Sequence, residues 1–102
     1  MKRFQPLARL IDLHDGFRRR IKIDALEVLL VQEDGRCFIF ESRCPHQQWP
    51  LDRAEIIDGI LCCPKHQYRF DLVSGEALGA LCPSLAVCEL VYEGNEVGIL
   101  LE

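Results

Sequence analysis

An all-β domain is the fold class this chain predicts, and three observations predict it. Turn dipeptides recur at short intervals: Asp15-Gly16, Asp34-Gly35, Asp58-Gly59, Ser74-Gly75 and Gly94-Asn95. The runs between them are short and rich in β-branched, aromatic and other apolar residues. Neither candidate helix convinces: Leu7–Leu13 reads as a short turn after a first strand, and Ala77–Leu85 is broken by Gly79 and Pro83.

The elements follow in order. Phe17–Ile23 ends in alternation, with Ile21 and Ile23 on one side and Lys22 on the other. Leu26–Val31 is nearly continuous in apolar residues, which predicts a strand covered on both faces. Asp34-Gly35 joins it to Arg36–Ser42 as a hairpin. Near the end Val87–Tyr92 and Glu96–Leu101 flank Gly94-Asn95 as a second hairpin, with Val97, Ile99 and Leu101 alternating. Residues 43–76 do not read as regular strand. The expected organisation is a single domain over 1–102, with a scaffold of about 1–42 and 77–102 and a functional subdomain of about 43–76.

Composition narrows the function. The chain has 102 residues, 49% of them hydrophobic, enough for one core. Its net charge of −4 argues against nucleic acid, which selects a basic face. No apolar run approaches the length of a membrane span, and the start, Met1-Lys2-Arg3-Phe4-Gln5-Pro6, carries no signal-peptide pattern. A reducing cytoplasm is therefore expected. There the six cysteines point to metal or catalysis rather than to three disulfides.

The chemistry concentrates in Cys44-Pro45-His46 and, sixteen residues after it, Cys63-Pro64-Lys65-His66. Each pair follows a β-prone run, so two loops at strand ends would bring two sulfurs and two nitrogens together. A single zinc accepts a Cys₂His₂ set, but its ligands in one loop are usually two or more residues apart. Closing Cys44 and His46 on one atom is strained, the more so because Pro45 fixes φ. A pair of sulfide-bridged irons relieves this, because each loop gives its Cys to one iron and its His to the other.

That pattern, Cys44-x-His46…Cys63-x-x-His66, resembles the Rieske motif. Arg69-Phe70-Asp71-Leu72 and Ser74-Gly75-Glu76-Ala77 resemble the segment after the second loop in Rieske-type ferredoxins, and the Asp34-Gly35 hairpin fits too. The resemblance implies a Rieske-like antiparallel β-sandwich or barrel with a cluster-binding subdomain of two loops. It implies one [2Fe–2S] cluster on Cys44, His46, Cys63 and His66. It further implies a one-electron carrier, not an enzyme alone, that passes electrons from a flavoprotein reductase to a non-haem iron oxygenase or another redox protein. The alternatives are a small subunit of a larger redox complex resembling nitrite reductase and, further off, a zinc-binding interaction module.

The same resemblance grades the surroundings. Respiratory Rieske proteins brace the cluster with a disulfide, whose positions here hold Trp49 and Lys65. Their cluster-bonding hydroxyls match Tyr68 and Phe70, and Phe70 has none. With fewer hydrogen bonds to the sulfurs, the expected potential lies low in the Rieske range. Gln48 and Gln67 stand where the family usually has Gly. Gln47, Gln48, Trp49, Lys65, Gln67, Tyr68 and Phe70 form the expected surround and docking rim. His14 reads as a solvated turn residue, and Cys37, Cys82 and Cys88 as small apolar groups. Cys62 is expected to face away from Cys63. Arg18-Arg19-Arg20 reads as a solvated strand face balanced by flanking acids, in preference to a docking patch.

Overall fold

The apolar run at Leu26–Val31 becomes the centre of the molecule. In the computed structural model, which describes residues 2–45, 48–64, 68–79 and 83–101, it lies in strand β3 (Leu26–Glu33), between β2 (Arg18–Ile23) and β4 (Arg36–Glu41). Both pairings are antiparallel, with Leu30 opposite Arg19 on one side and Ile39 on the other. Alternate side chains of β3 enter two different cores, as a strand's period of two requires. Val28 and Leu30 pack with Ile39, Leu7, Phe17, Val97 and Ile99. Leu29 and Val31 pack with Phe38, Phe40, Leu51, Leu61, Phe70 and Leu85. All four β3 residues are at most 1% exposed. Each such burial contributes about 1.5–3 kcal/mol.

Each core has its own covering sheet. β1 (Arg3–Arg9), β10 (Glu96–Leu101) and β9 (Val91–Glu93) form one, in the order β1-β10-β9. The other is a meander of β5 (Glu55–Ile57), β6 (Ile60–Cys62), β7 (Arg69–Asp71) and β8 (Ala77–Leu78). A single 3₁₀ turn, Leu10–Asp12, follows β1. Among the described residues no helix is long and apolar enough to cross a membrane.

Two differences from the sequence reading have simple causes. Residues 43–76 hold three short strands, which at three residues each are too brief to show a period. The second hairpin is shorter on its first arm, Val91–Glu93, because residues 86–88 leave it to run beside β4. There Glu41 N–H donates to the Ala86 carbonyl and Cys88 N–H to that of Ile39, both at 2.9 Å.

The segment after β7 shows why its residues recur as a unit. Phe70 is fully buried, while the Asp71 carboxylate accepts the Val73 N–H at 2.8 Å and folds the turn. Gly75 then has φ +83°, and a Cβ there would lie 2.2 Å from the Leu85 carbonyl oxygen. No other residue satisfies both conditions.

Candidate metal centre

The two cysteine loops begin differently. The first leaves β4 at Ser42 and crosses from the central sheet to the β5–β8 sheet. Its base closes through Leu51 N–H to the Ser42 carbonyl at 2.9 Å, beside an isolated bridge between Arg43 and Pro50. The second is the connection within a hairpin, since Cys62 and Arg69 are paired across β6 and β7.

They close alike. Cys44 N–H donates to the Trp49 carbonyl at 2.7 Å, and Cys63 N–H donates to the Tyr68 carbonyl at 2.7 Å. Gln48 N–H returns to the Cys44 carbonyl at 2.7 Å. Gln48 sits at φ +56°, the left-handed backbone that favours glycine. The sequence therefore replaces the residue while the backbone keeps the conformation.

Cys44 and Cys63 are each 1% exposed and belong to the same core as Phe70 and Leu61. Neither is in a disulfide, nor are the other described cysteines, Cys37, Cys62 and Cys88. Away from each buried cysteine the chain rises to the surface. Pro64 and Gln48 are exposed, and Trp49 is 42% exposed. His46, Gln47, Lys65, His66, Gln67 and Cys82 lie outside the described residues. Tyr68 packs against the core from its edge and Phe70 from within, so Phe70 supports the site from behind.

The remaining cysteines are bystanders. Cys62 is half-buried on the outer face of its sheet, opposite Cys63. Burial pushes the Cys37 and Cys88 thiols up, which favours the protonated form. His14 is exposed, edge-on to Phe17 at 5.8 Å.

One group escaped the sequence reading. Arg18 is half-buried and Arg20 exposed on a strand face balanced by acids, as the sequence suggested, and both also reach over to the first loop. Arg20 pairs with Asp52 and Glu27, its Nε lying 3.0 Å from the Asp52 carboxylate and its Nη1 3.1 Å from Ser42 Oγ. Ser42 Oγ donates to Glu27 at 3.0 Å, and Arg18 donates to the Asp52 carbonyl at 3.0 Å. Arg19 instead binds the Leu7 carbonyl and stacks over Phe17. The Arg20 hydrogen bond holds Asp52 below the usual carboxylate range, and the Ser42 hydroxyl does the same for Glu27. The signal was present as two arginines two apart on a strand and an aspartate just past the loop.

Two thiols, delivered by two loops from separate sheet elements, are buried in one core. The chain belongs to the Rieske [2Fe–2S] domain family, whose model matches residues 3–89. It is 32% identical over 87 residues to the ferredoxin component of the alkene monooxygenase system of Xanthobacter autotrophicus, covering 84% of this chain and 71% of that protein. Its fold matches the structure of a complex of reduced oxygenase and oxidized ferredoxin in carbazole 1,9a-dioxygenase, at TM-score 0.79 and 21% identity over 92% of this chain and 89% of that one. It also matches a Mycobacterium tuberculosis chain provisionally named as a small subunit of NADH-dependent nitrite reductase, at TM-score 0.83 and 15% identity over 100% of this chain and 97% of that one. The donor chemistry fits the family's [2Fe–2S] cluster: two buried thiols in one core, neither in a disulfide, suit its sulfur-ligated iron.

Proposed function

We propose that this protein is a one-electron carrier of the ferredoxin type, which moves electrons from a flavoprotein reductase to a terminal oxygenase. The observation that carries this reading is the pair Cys44 and Cys63, sealed from water in one core, with Gln48, Trp49 and Pro64 exposed beside them. When bound, the cluster supplies a single-electron couple. Cys44 and Cys63 would hold one iron, and His46 and His66 the other. The loops of residues 43–76 act as a binding subdomain on a scaffold of 1–42 and 77–102, all within one domain. The protein acts in the cytoplasm and catalyses nothing alone.

The residues divide the work. Phe70, Leu61 and Leu51 exclude water from the thiols. The paired amide hydrogen bonds of Cys44 and Cys63 fix where the sulfurs point. Trp49 and Gln48, exposed beside the first loop, meet the partner together with Gln47, Lys65 and Gln67. The relatives support a carrier rather than an enzyme, since the alkene monooxygenase relative is itself a ferredoxin component. The fold shared with the nitrite reductase-type chain keeps a second reading in view, a subunit held permanently in a larger complex.

Rapid mixing of the reduced protein with an oxidised terminal oxygenase tests the proposal. A carrier reoxidises in one exponential phase whose rate rises with oxygenase concentration. Co-purification in a fixed complex that withstands high salt, with no transfer to a free oxygenase, would favour the second reading.

A further inference from the structure

The first loop has a weakness that the second lacks. The second is held at both ends by its own hairpin, with Cys62 paired to Arg69. The first passes from β4 to β5, strands of different sheets, and among the described residues its arms are joined only by the Arg43–Pro50 bridge and the Leu51–Ser42 and Cys44–Trp49 backbone bonds. The position of this loop relative to the other therefore depends on what ties its ends, Ser42 and Asp52, to the central sheet.

Arg20 supplies the missing restraint. Its guanidinium bonds Ser42 Oγ, two residues before Cys44, and the Asp52 carboxylate, three residues after Trp49. One planar fork therefore grips both ends of the loop from a strand of the central sheet. Glu27 holds the fork from β3 while accepting the Ser42 hydroxyl. Arg18, on the same face of β2, holds the Asp52 backbone at 3.0 Å. Ser42 is 2% exposed, the only buried polar residue among those described, and it has both its backbone groups and its hydroxyl engaged.

We propose that Arg20 is a positioning residue for the metal centre, fixing the Cys44 loop relative to the Cys63 loop through Ser42 and Asp52. This deepens the reading of Cys44 as a cluster ligand and rests on it. A lysine cannot replace the fork, because a point charge does not bridge two acceptors in fixed geometry.

Amide hydrogen exchange and electron paramagnetic resonance on the full chain carrying its cluster test this together. In Arg20→Gln, exchange at the Cys44, Gln48 and Leu51 amides should quicken about tenfold, while amides of β3 and β10 stay as they were. The g values of the reduced cluster should move as well. Arg20→Lys should fall between Arg20→Gln and the parent. Asp52→Asn should reproduce the effect, and combining it with Arg20→Gln should add little. Arg9→Gln, which removes an exposed pair with Asp12, should change neither readout. Unchanged exchange at the three loop amides, unmoved g values, or acceleration spread evenly through β3 and β10 would overturn the proposal. If Arg20→Gln fails to fold, Arg20→Lys and Asp52→Asn decide the matter by the same amides. A parent chain without iron would defeat the cluster reading, while the exchange pattern would still decide whether Arg20 holds the loop.

Discussion

The amide of Cys44 donates to the carbonyl of Trp49, five residues on, at 2.7 Å. Cys63 makes the same bond to Tyr68 across the same interval and at the same distance. Both cysteines are thus anchored by the same backbone bond, although the Cys–His spacings differ by one residue. Two cysteines anchored alike in one core would both be available to a bound metal group. Ligand spacing then varies inside a frame that does not.

The first prediction concerns those cysteines. Cys44→Ser or Cys63→Ser should fold and fail to retain two irons and two sulfides per chain. Cys37→Ser and Cys62→Ser should retain them, since both lie outside the shared pocket. Iron and acid-labile sulfide analysis of the four variants checks this.

Gln48 adopts φ +56° with its side chain exposed. A non-glycine residue there is strained by about 1–2 kcal/mol, and glycine returns part of that as unfolded-state entropy. Gln48→Gly should therefore leave stability unchanged or raise it by up to about 1 kcal/mol. Thermal unfolding measures it.

Gly75→Ala should do the opposite. The added Cβ would meet the Leu85 carbonyl at 2.2 Å on a backbone of φ +83°. We expect a loss of about 3 kcal/mol or more, visible in denaturant unfolding as a lower midpoint with the same slope.

Trp49 has its backbone turned into the loop closure and its side chain 42% exposed. An exposed tryptophan beside a redox centre is suited to anchor a partner. Trp49→Ala should weaken oxygenase binding by about 2 kcal/mol, roughly thirtyfold, with the reduction potential unchanged. Titration of the oxygenase against both proteins reads the difference.

The Asp52 carboxylate is held below its ordinary value of 3.8, chiefly by the Arg20 hydrogen bond. Its contribution to stability is therefore fully present above pH 3.8 and is lost as pH falls through the lower, folded value. Asp52→Asn should be less stable than the parent at pH 7, and the gap should close only below pH 3.8. Chemical unfolding of both proteins across that range reports the sign.

Much of this was legible from sequence. Period and punctuation marked the Asp34-Gly35 hairpin, where φ is +52° and +74° as that turn requires. A nearly continuous apolar run marked β3 as a strand covered on both faces, and the Cys–His spacing marked the family. The short strands of the β5–β8 sheet were hidden, since three residues such as Glu55–Ile57 carry too little pattern. The role of Arg20 was hidden for a different reason. Its partners lie seven, 22 and 32 residues away, and only the tertiary fold brings a strand arginine to a loop it does not adjoin.

Electron paramagnetic resonance of the dithionite-reduced protein tests the central claim most directly. A diiron signal of the mixed sulfur-and-nitrogen-ligated kind, lost in Cys44→Ser and Cys63→Ser, is the predicted result. A folded, colourless protein that gives no such signal and holds one zinc would contradict it.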